Sequence, residues 1–218
     1  MLIKGLKNTD VKNEFNRIAL NYDFYPYTLV YKANIIRGIL EAHNKTSRNV
    51  KILDIGVAGA ELANLYLSNQ NLTGIDISIK MIKKAKMLLP KCNFVEQDGE
   101  DLEFQDESFD VIVSCDTLYY MENPGRSISE SFRILQQDGL IIIISRNQFY
   151  QKFEFIRKLL NIGPTDDLHS GLFYKSELHK ILIDKGFNNV CSKSFCVIPV
   201  KGFSFMDNTI LNYFGHFS

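Results

Sequence analysis

From residue 50 onward, short apolar bursts alternate with stretches whose apolar residues recur at helical spacing. Residues 51–55, 72–76, 92–96, 109–115 and 139–145 read as strands. Between them, 61–67, 78–89 and 124–137 carry one apolar face each: Met81, Ile82, Ala85 and Leu89 in the second, Ile128, Phe132 and Leu135 in the third. Strand and helix in turn is the pattern of βαβ units around a parallel sheet. The punctuation agrees. Ser78 can cap one helix, Asn123 stands before an N1 proline, and Asp138-Gly139 supplies the turn that ends the third. Residues 11–20 and 31–43 read as helices ahead of the sheet, 176–185 as a helix stopping at Gly186, and 189–200 as a β-rich run.

Composition narrows the class. At 218 residues with 45% apolar content, the chain can bury a full core, and we read it as a single domain over 1–218. Equal numbers of basic and acidic residues, 25 each, remove the long-range field that draws proteins to phosphate backbones, so nucleic acid is disfavoured as a partner. The longest apolar runs fall far short of the ~20 residues a membrane span needs. No signal-peptide run opens the chain, so a soluble, cytoplasmic protein is expected. The four cysteines, 92, 115, 191 and 196, form no CxxC pair and have no histidine at zinc spacing. They read as free buried thiols, and no metal site is expected.

Chemistry concentrates at the strand ends. Residues 54–61, Asp-Ile-Gly-Val-Ala-Gly-Ala-Glu, form a small-residue turn between a buried strand and a helix, where backbone can pass close to a ligand. The turn is not the dinucleotide fingerprint, because Ala58 and Glu61 break it, which argues against a nicotinamide-dependent oxidoreductase. Asp54 would repel a pyrophosphate and suit an ammonium. Asp76, twenty residues past Gly56, ends the second strand, where a carboxylate can accept both hydroxyls of a ribose. Asp98 follows the third strand and can accept from an exocyclic amine. These carboxylates at successive strand ends would share one crevice.

With those residues the chain resembles the class I S-adenosylmethionine-dependent methyltransferases, in particular the small-molecule branch that includes ubiquinone and menaquinone biosynthesis enzymes. The resemblance spans residues 15–187. It includes 15–23, Phe-Asn-Arg-Ile-Ala-Leu-Asn-Tyr-Asp, 106–114, Asp-Glu-Ser-Phe-Asp-Val-Ile-Val-Ser, and 131–139, Ser-Phe-Arg-Ile-Leu-Gln-Gln-Asp-Gly. It implies a three-layer αβα Rossmann-like fold with a mostly parallel sheet of order 3-2-1-4-5-(7)-6. It also implies S-adenosylmethionine as donor and S-adenosylhomocysteine as product. Asp54 and Gly56 would meet the methionine end, with Cys115 alongside and Tyr22 over its carboxylate. Asp76 would take the ribose, Ile77 and Met81 the adenine face, and Asp98 with the Gly99 backbone the adenine amine.

The chain departs from the family's D-x-G-x-G-x-G by Ala58 and Ala60, and residues 207–218 show no convincing final strand, so the seventh strand is expected to be absent. The function implied is methyl transfer to a small-molecule acceptor by in-line displacement, through proximity and desolvation. The two alanines and the weak tail leave a non-catalytic binder of the same ligand, a sensor or assembly protein, as the alternative. No obligatory base is required, and Asp116, Tyr119 and His169 are the candidate catalytic groups. Residues 1–45 and 147–172 would cap the acceptor, whose identity the sequence leaves open, as it does the oligomeric state.

Overall fold

The computed structural model describes residues 7–22, 26–67, 71–146, 173–197 and 207–216. Among these, strands β1 (Lys51–Ile55), β2 (Asn71–Asp76), β3 (Asn93–Glu96), β4 (Phe109–Cys115), β5 (Leu135–Arg146), β6 (Asn188–Val197) and β7 (Asp207–His216) form one sheet. Its order is β3-β2-β1-β4-β5-β7-β6. The first five strands are mutually parallel; β7 runs antiparallel to both β5 and β6.

The parallel strands are buried on both faces, and side-chain alternation divides them between two cores. Ile52, Leu72, Val111, Val113, Ile142 and Ile144 pack with helices α2 (Pro26–Ala42), α3 (Glu61–Tyr66) and α4 (Ile79–Leu88). Leu53, Ile55, Ile75, Ile112, Ile141 and Ile143 face α5 (Pro124–Ile134) and α6 (Lys175–Asp184). Helix α1 (Asn8–Ile18) precedes a 3-10 turn, Ala19–Asn21. The anticipated caps form: the Ser78 hydroxyl accepts from the Met81 amide at 3.2 Å, and the Asn123 side chain accepts from Arg126 N–H at 3.2 Å, ahead of Pro124.

Three expectations are corrected. The seventh strand is present: Asp207, Asn208, Asn212 and Gly215 blur its apolar pattern, yet residues 207–216 pair on both sides. The helix expected over 124–137 ends at Ile134, because Leu135, fully buried, is drawn into the sheet opposite Phe109. A register shift then separates the Phe109 and Val111 pairings, and Asp138 turns at φ 58°. Of the cysteines, Cys92, Cys115 and Cys191 are free as expected, but Cys92 and Cys115 are only half-buried and Cys191 is exposed. The proposed cap over 147–172, with His169, lies outside the described residues.

Candidate functional site

Parallel strands aligned in register bring Asp54, Asp76, Glu96 and Cys115 to one edge of the sheet. The β1 turn is built for close approach. Gly56 sits at φ +75°, and a Cβ there would lie 2.2 Å from the Thr117 hydroxyl. Ala58 and Ala60, where the resemblance has glycine, also adopt left-handed backbone, at φ 49° and 66°. That conformation costs an L-residue roughly 1–2 kcal/mol, so the turn geometry is kept despite the substitutions.

Asp76 is 9% exposed and braces this turn: its carboxylate accepts from Ala58 N–H at 3.0 Å and from Ser78 N–H at 2.8 Å. Burial pushes it up to about 6, against the pull of those two amides. Asp54, 3% exposed, accepts from the Tyr66 hydroxyl at 2.7 Å. Burial, opposed by that hydrogen bond and reinforced by Asp76, pushes it to about 7. Asp98 accepts from Glu100 N–H at 2.9 Å and from the Asn8 side chain at 2.6 Å. The neighbouring Glu100 is turned away, holding Glu122 and Asn123 N–H at 2.8 Å each.

A cleft of about 670 Å³, counting space open to solvent, runs along this edge. Gly56, Ala58, Asp76, Ile77, Asp98, Gly99, Cys115 and Tyr22 line it, as do Asp116 and Tyr120. Helix α1 supplies Asn8, Val11 and Phe15 from the other side, and Phe15 stands edge-on to Tyr22 and Tyr120 with ring centres 5.8 and 5.1 Å away. Two expected residues lie elsewhere. Met81 is fully buried, packed with Ala19 and Ala58. Tyr119, 1% exposed, fills the core and carries the Arg146 guanidinium 5.6 Å above its ring.

Asp54 lines a smaller adjoining cavity instead, with Leu29, Lys32, Val57 and Leu62; Gly56, Cys115 and Asp116 border both spaces. Lys32 is 5% exposed and its ammonium pairs with the Asp116 carboxylate. Attraction to Lys32 and Arg146 outweighs burial and holds Asp116 below the usual carboxylate range. The sequence reading missed Lys32, Tyr66, Thr117 and the cleft-lining face of α1. A signal existed for Lys32, which shares a helical face with Leu29, Ala33, Ile36 and Leu40, an apolar stripe where a lysine is out of place.

These groups fit an adenosyl ligand with a cationic tail. Carboxylate oxygens bound to one N–H each keep a lone pair for hydroxyl or amine donors. At Gly99 a Cβ would come within 2.8 Å of Met121 and 2.9 Å of Ile55, so the backbone itself forms the wall there.

Comparisons with known proteins agree with the fold. The family model described as a methyltransferase domain matches residues 53–143. An uncharacterized protein of Methanocaldococcus jannaschii is 32% identical over 182 residues, 82% of each chain. A demethylmenaquinone methyltransferase of Chlorobaculum tepidum is 28% identical over 190 residues, 80% of this chain and 75% of that protein. Among solved structures, magnesium protoporphyrin IX methyltransferase from Synechocystis with bound SAH superposes with a TM-score of 0.71 at 16% identity, over 97% of this chain and 100% of the other.

Proposed function

Because the chain belongs to the S-adenosylmethionine-dependent methyltransferases and transfers a methyl group to a small-molecule acceptor, we propose that the cleft beside β1, β2 and β4 holds the donor. In this reading Asp76 accepts the ribose hydroxyls and Ile77 lies against the adenine. Asp98 accepts the adenine amine beside the Gly99 backbone, and Gly56, Ala58 and Cys115 border the methionine end with Asp54 beyond them. The single observation that supports it is the convergence of Asp54, Asp76 and Asp98 from successive strand ends on two neighbouring spaces that share Gly56, Cys115 and Asp116 as lining residues.

When bound, S-adenosylmethionine supplies a methyl group already activated on a sulfonium. The chain's residues then have three tasks. The carboxylates and glycines fix the adenosyl group, Phe15, Tyr22 and Tyr120 exclude water, and the cleft aligns acceptor and methyl group within reach of each other. Tyr120 and Asp116 border the cleft on the β4 side, and we place the acceptor beyond them. The free thiols of Cys92, Cys115 and Cys191 support a reducing, cytoplasmic location.

Titration calorimetry with S-adenosylmethionine and S-adenosylhomocysteine tests the reading. Both are expected to bind, and Asp76→Asn is expected to weaken both by roughly 10- to 100-fold through loss of charge-assisted bonds. Absence of heat with either ligand overturns it.

A further inference from the structure

The outer face of α4 gathers charge of one sign. Residues 77–95 hold five lysines, 80, 83, 84, 86 and 91, and no acidic residue, in a chain whose formal net charge is zero. Helical spacing places Ile79, Lys80, Lys83, Lys86 and Met87 on one side of α4, opposite the buried Met81, Ile82 and Ala85, and all five are exposed. Among the described residues, Lys84 alone of the five lysines has its ammonium in an ion pair, with Glu61 at 2.7 Å. Acids close by are already engaged: Glu14 on the adjoining α1 by Arg17, and Glu96 at the end of β3 by Lys12. Most of the positive charge on this face is therefore left uncancelled.

Apolar surface collects in the same place. Seven large hydrophobic side chains are exposed among the described residues, and four of them, Leu20, Ile79, Met87 and Leu88, lie on α4 or on the 3-10 turn beside it. Leu20 and Met87 are 90% and 84% exposed. That turn is fixed to the helix: Ala19 packs with Met81, and Lys84 donates to the Tyr22 carbonyl at 3.1 Å. Single apolar residues on a surface need no explanation, but a group of them among lysines is the composition of a surface that rests on lipid headgroups. An acidic protein accounts for the lysines but not for Leu20 and Met87. An anionic bilayer takes up both, with phosphates against the ammonium groups and the acyl boundary against the apolar side chains.

We propose that the outer face of α4, together with Leu20, is a docking surface for an anionic phospholipid bilayer. Lys80, Lys83, Lys86 and Lys91 meet the headgroup phosphates, while Leu20 and Met87 enter the boundary between headgroups and acyl chains. The surface adjoins the cleft. Leu20 stands two residues before Tyr22 and Ile79 two after Ile77, and both Tyr22 and Ile77 line the cleft. Docking thus holds one border of the cleft at the bilayer, a position that suits an apolar acceptor dissolved there. The docking itself does not depend on which ligand the cleft holds.

Vesicle flotation of the whole chain tests the assignment, with equal parts of phosphatidylcholine and phosphatidylglycerol in one set and phosphatidylcholine alone in the other. The unaltered protein is expected to float with the anionic vesicles, to bind the neutral ones roughly 10-fold more weakly or less, and to be released as salt is raised. Near an anionic surface each lysine strengthens binding roughly fivefold, so Lys80→Gln, Lys83→Gln and Lys86→Gln together are expected to weaken it by roughly 100-fold. The same change in net charge at the other edge of the sheet, by Lys180→Gln, Lys185→Gln and Lys193→Gln on α6 and β6, is expected to leave most of the binding. Leu20→Ser with Met87→Ser keeps the charge and is expected to weaken binding to the anionic vesicles by roughly 10-fold. All these side chains are exposed, and an unchanged melting temperature verifies that each variant is folded.

Failure of the unaltered protein to bind either vesicle overturns the proposal and leaves the face to solvent or to an acidic protein. Equal binding to both vesicles overturns it too, because the lysines then contribute nothing. An equal loss from the two charge-removing triple variants does the same, since overall charge and not this patch would then govern binding.

Discussion

The backbone at the β1 turn shows how much conformational strain one small segment carries. Gly56 is required twice over, by its φ of +75° and by the Thr117 side chain packed where a Cβ would stand. Gly56→Ala is therefore expected to destabilise the protein by on the order of 2–4 kcal/mol, combining left-handed strain with a steric clash. Combining it with Thr117→Ala relieves the clash but not the strain, and should recover part of the loss in denaturant unfolding. Full recovery would show that φ at this position is free to change. Ala60 presents the opposite balance. At φ 66° it is strained, but it is fully buried, so Ala60→Gly gains roughly 1–2 kcal/mol of relief and loses a buried methyl and unfolded-state restriction worth about as much. A change of under about 1 kcal/mol in unfolding free energy is expected.

Among the elements, α1 differs from the rest in how it is attached. Its single buried residue is Val11; Phe15 and Ile18 pack half-buried by Ala58 and Met81, and three polar contacts complete its attachment. Asn8 donates to Asp98 at 2.6 Å, Lys12 pairs with Glu96 at 2.6 Å, and Asn16 accepts from the Ser78 hydroxyl at 2.8 Å. Spaced four apart, these residues form one face of the helix, laid across the ends of β2 and β3. A helix held this way opens at lower free energy than the sheet. Its amides are expected to exchange with deuterium well before those of β1 and β4, and S-adenosylhomocysteine is expected to slow them; equal protection of α1 and the sheet would contradict this. The same contrast explains what the sequence made legible. The strands and helices around Asp54, Asp76 and Asp98 declare themselves by local periodicity and by turns at strand ends, so the carboxylate edge could be read residue by residue. The end of α5 and the pairing of β7 depend on neighbours far along the chain, Phe109 for one and β5 with β6 for the other. Tyr66 was hidden for the same reason, because its bond to Asp54 exists only once α3 docks against the end of β1, whereas Lys32 stood out on its apolar stripe and only its partner Asp116 was unreadable. Met81 packs with Ala19 and Ala58, although the family resemblance put it on the adenine face.

At the scale of the whole molecule, a formal net charge of zero conceals a concentrated cost: buried carboxylates gathered at one edge of the sheet. The folded chain holds Asp54 at about 7 and Asp76 at about 6, where an unfolded aspartate titrates near 3.8. Between those values the folded state binds more protons than the unfolded one, so stability falls as pH rises. The contribution is fully present below about 4 and is lost once pH has passed through 6 and 7. At ~1.4 kcal/mol per unit, Asp54 alone accounts for a decrease on the order of 4–5 kcal/mol. Ligand-free protein is accordingly expected to melt at lower temperature at pH 8 than at pH 5, and Asp54→Asn, which can still accept from Tyr66, should flatten that slope. A cationic ligand has the opposite dependence, because it favours the ionised carboxylates. The rise in melting temperature produced by a fixed concentration of S-adenosylmethionine should therefore grow from pH 5 to pH 8 and level off above it. Thermal melts across that range, with and without ligand, check both halves together. A ligand-free stability that rises over the interval, or a ligand effect that stays constant, would mean that Asp54 and Asp76 are ionised in the free protein and that the edge is neutralised by some other group.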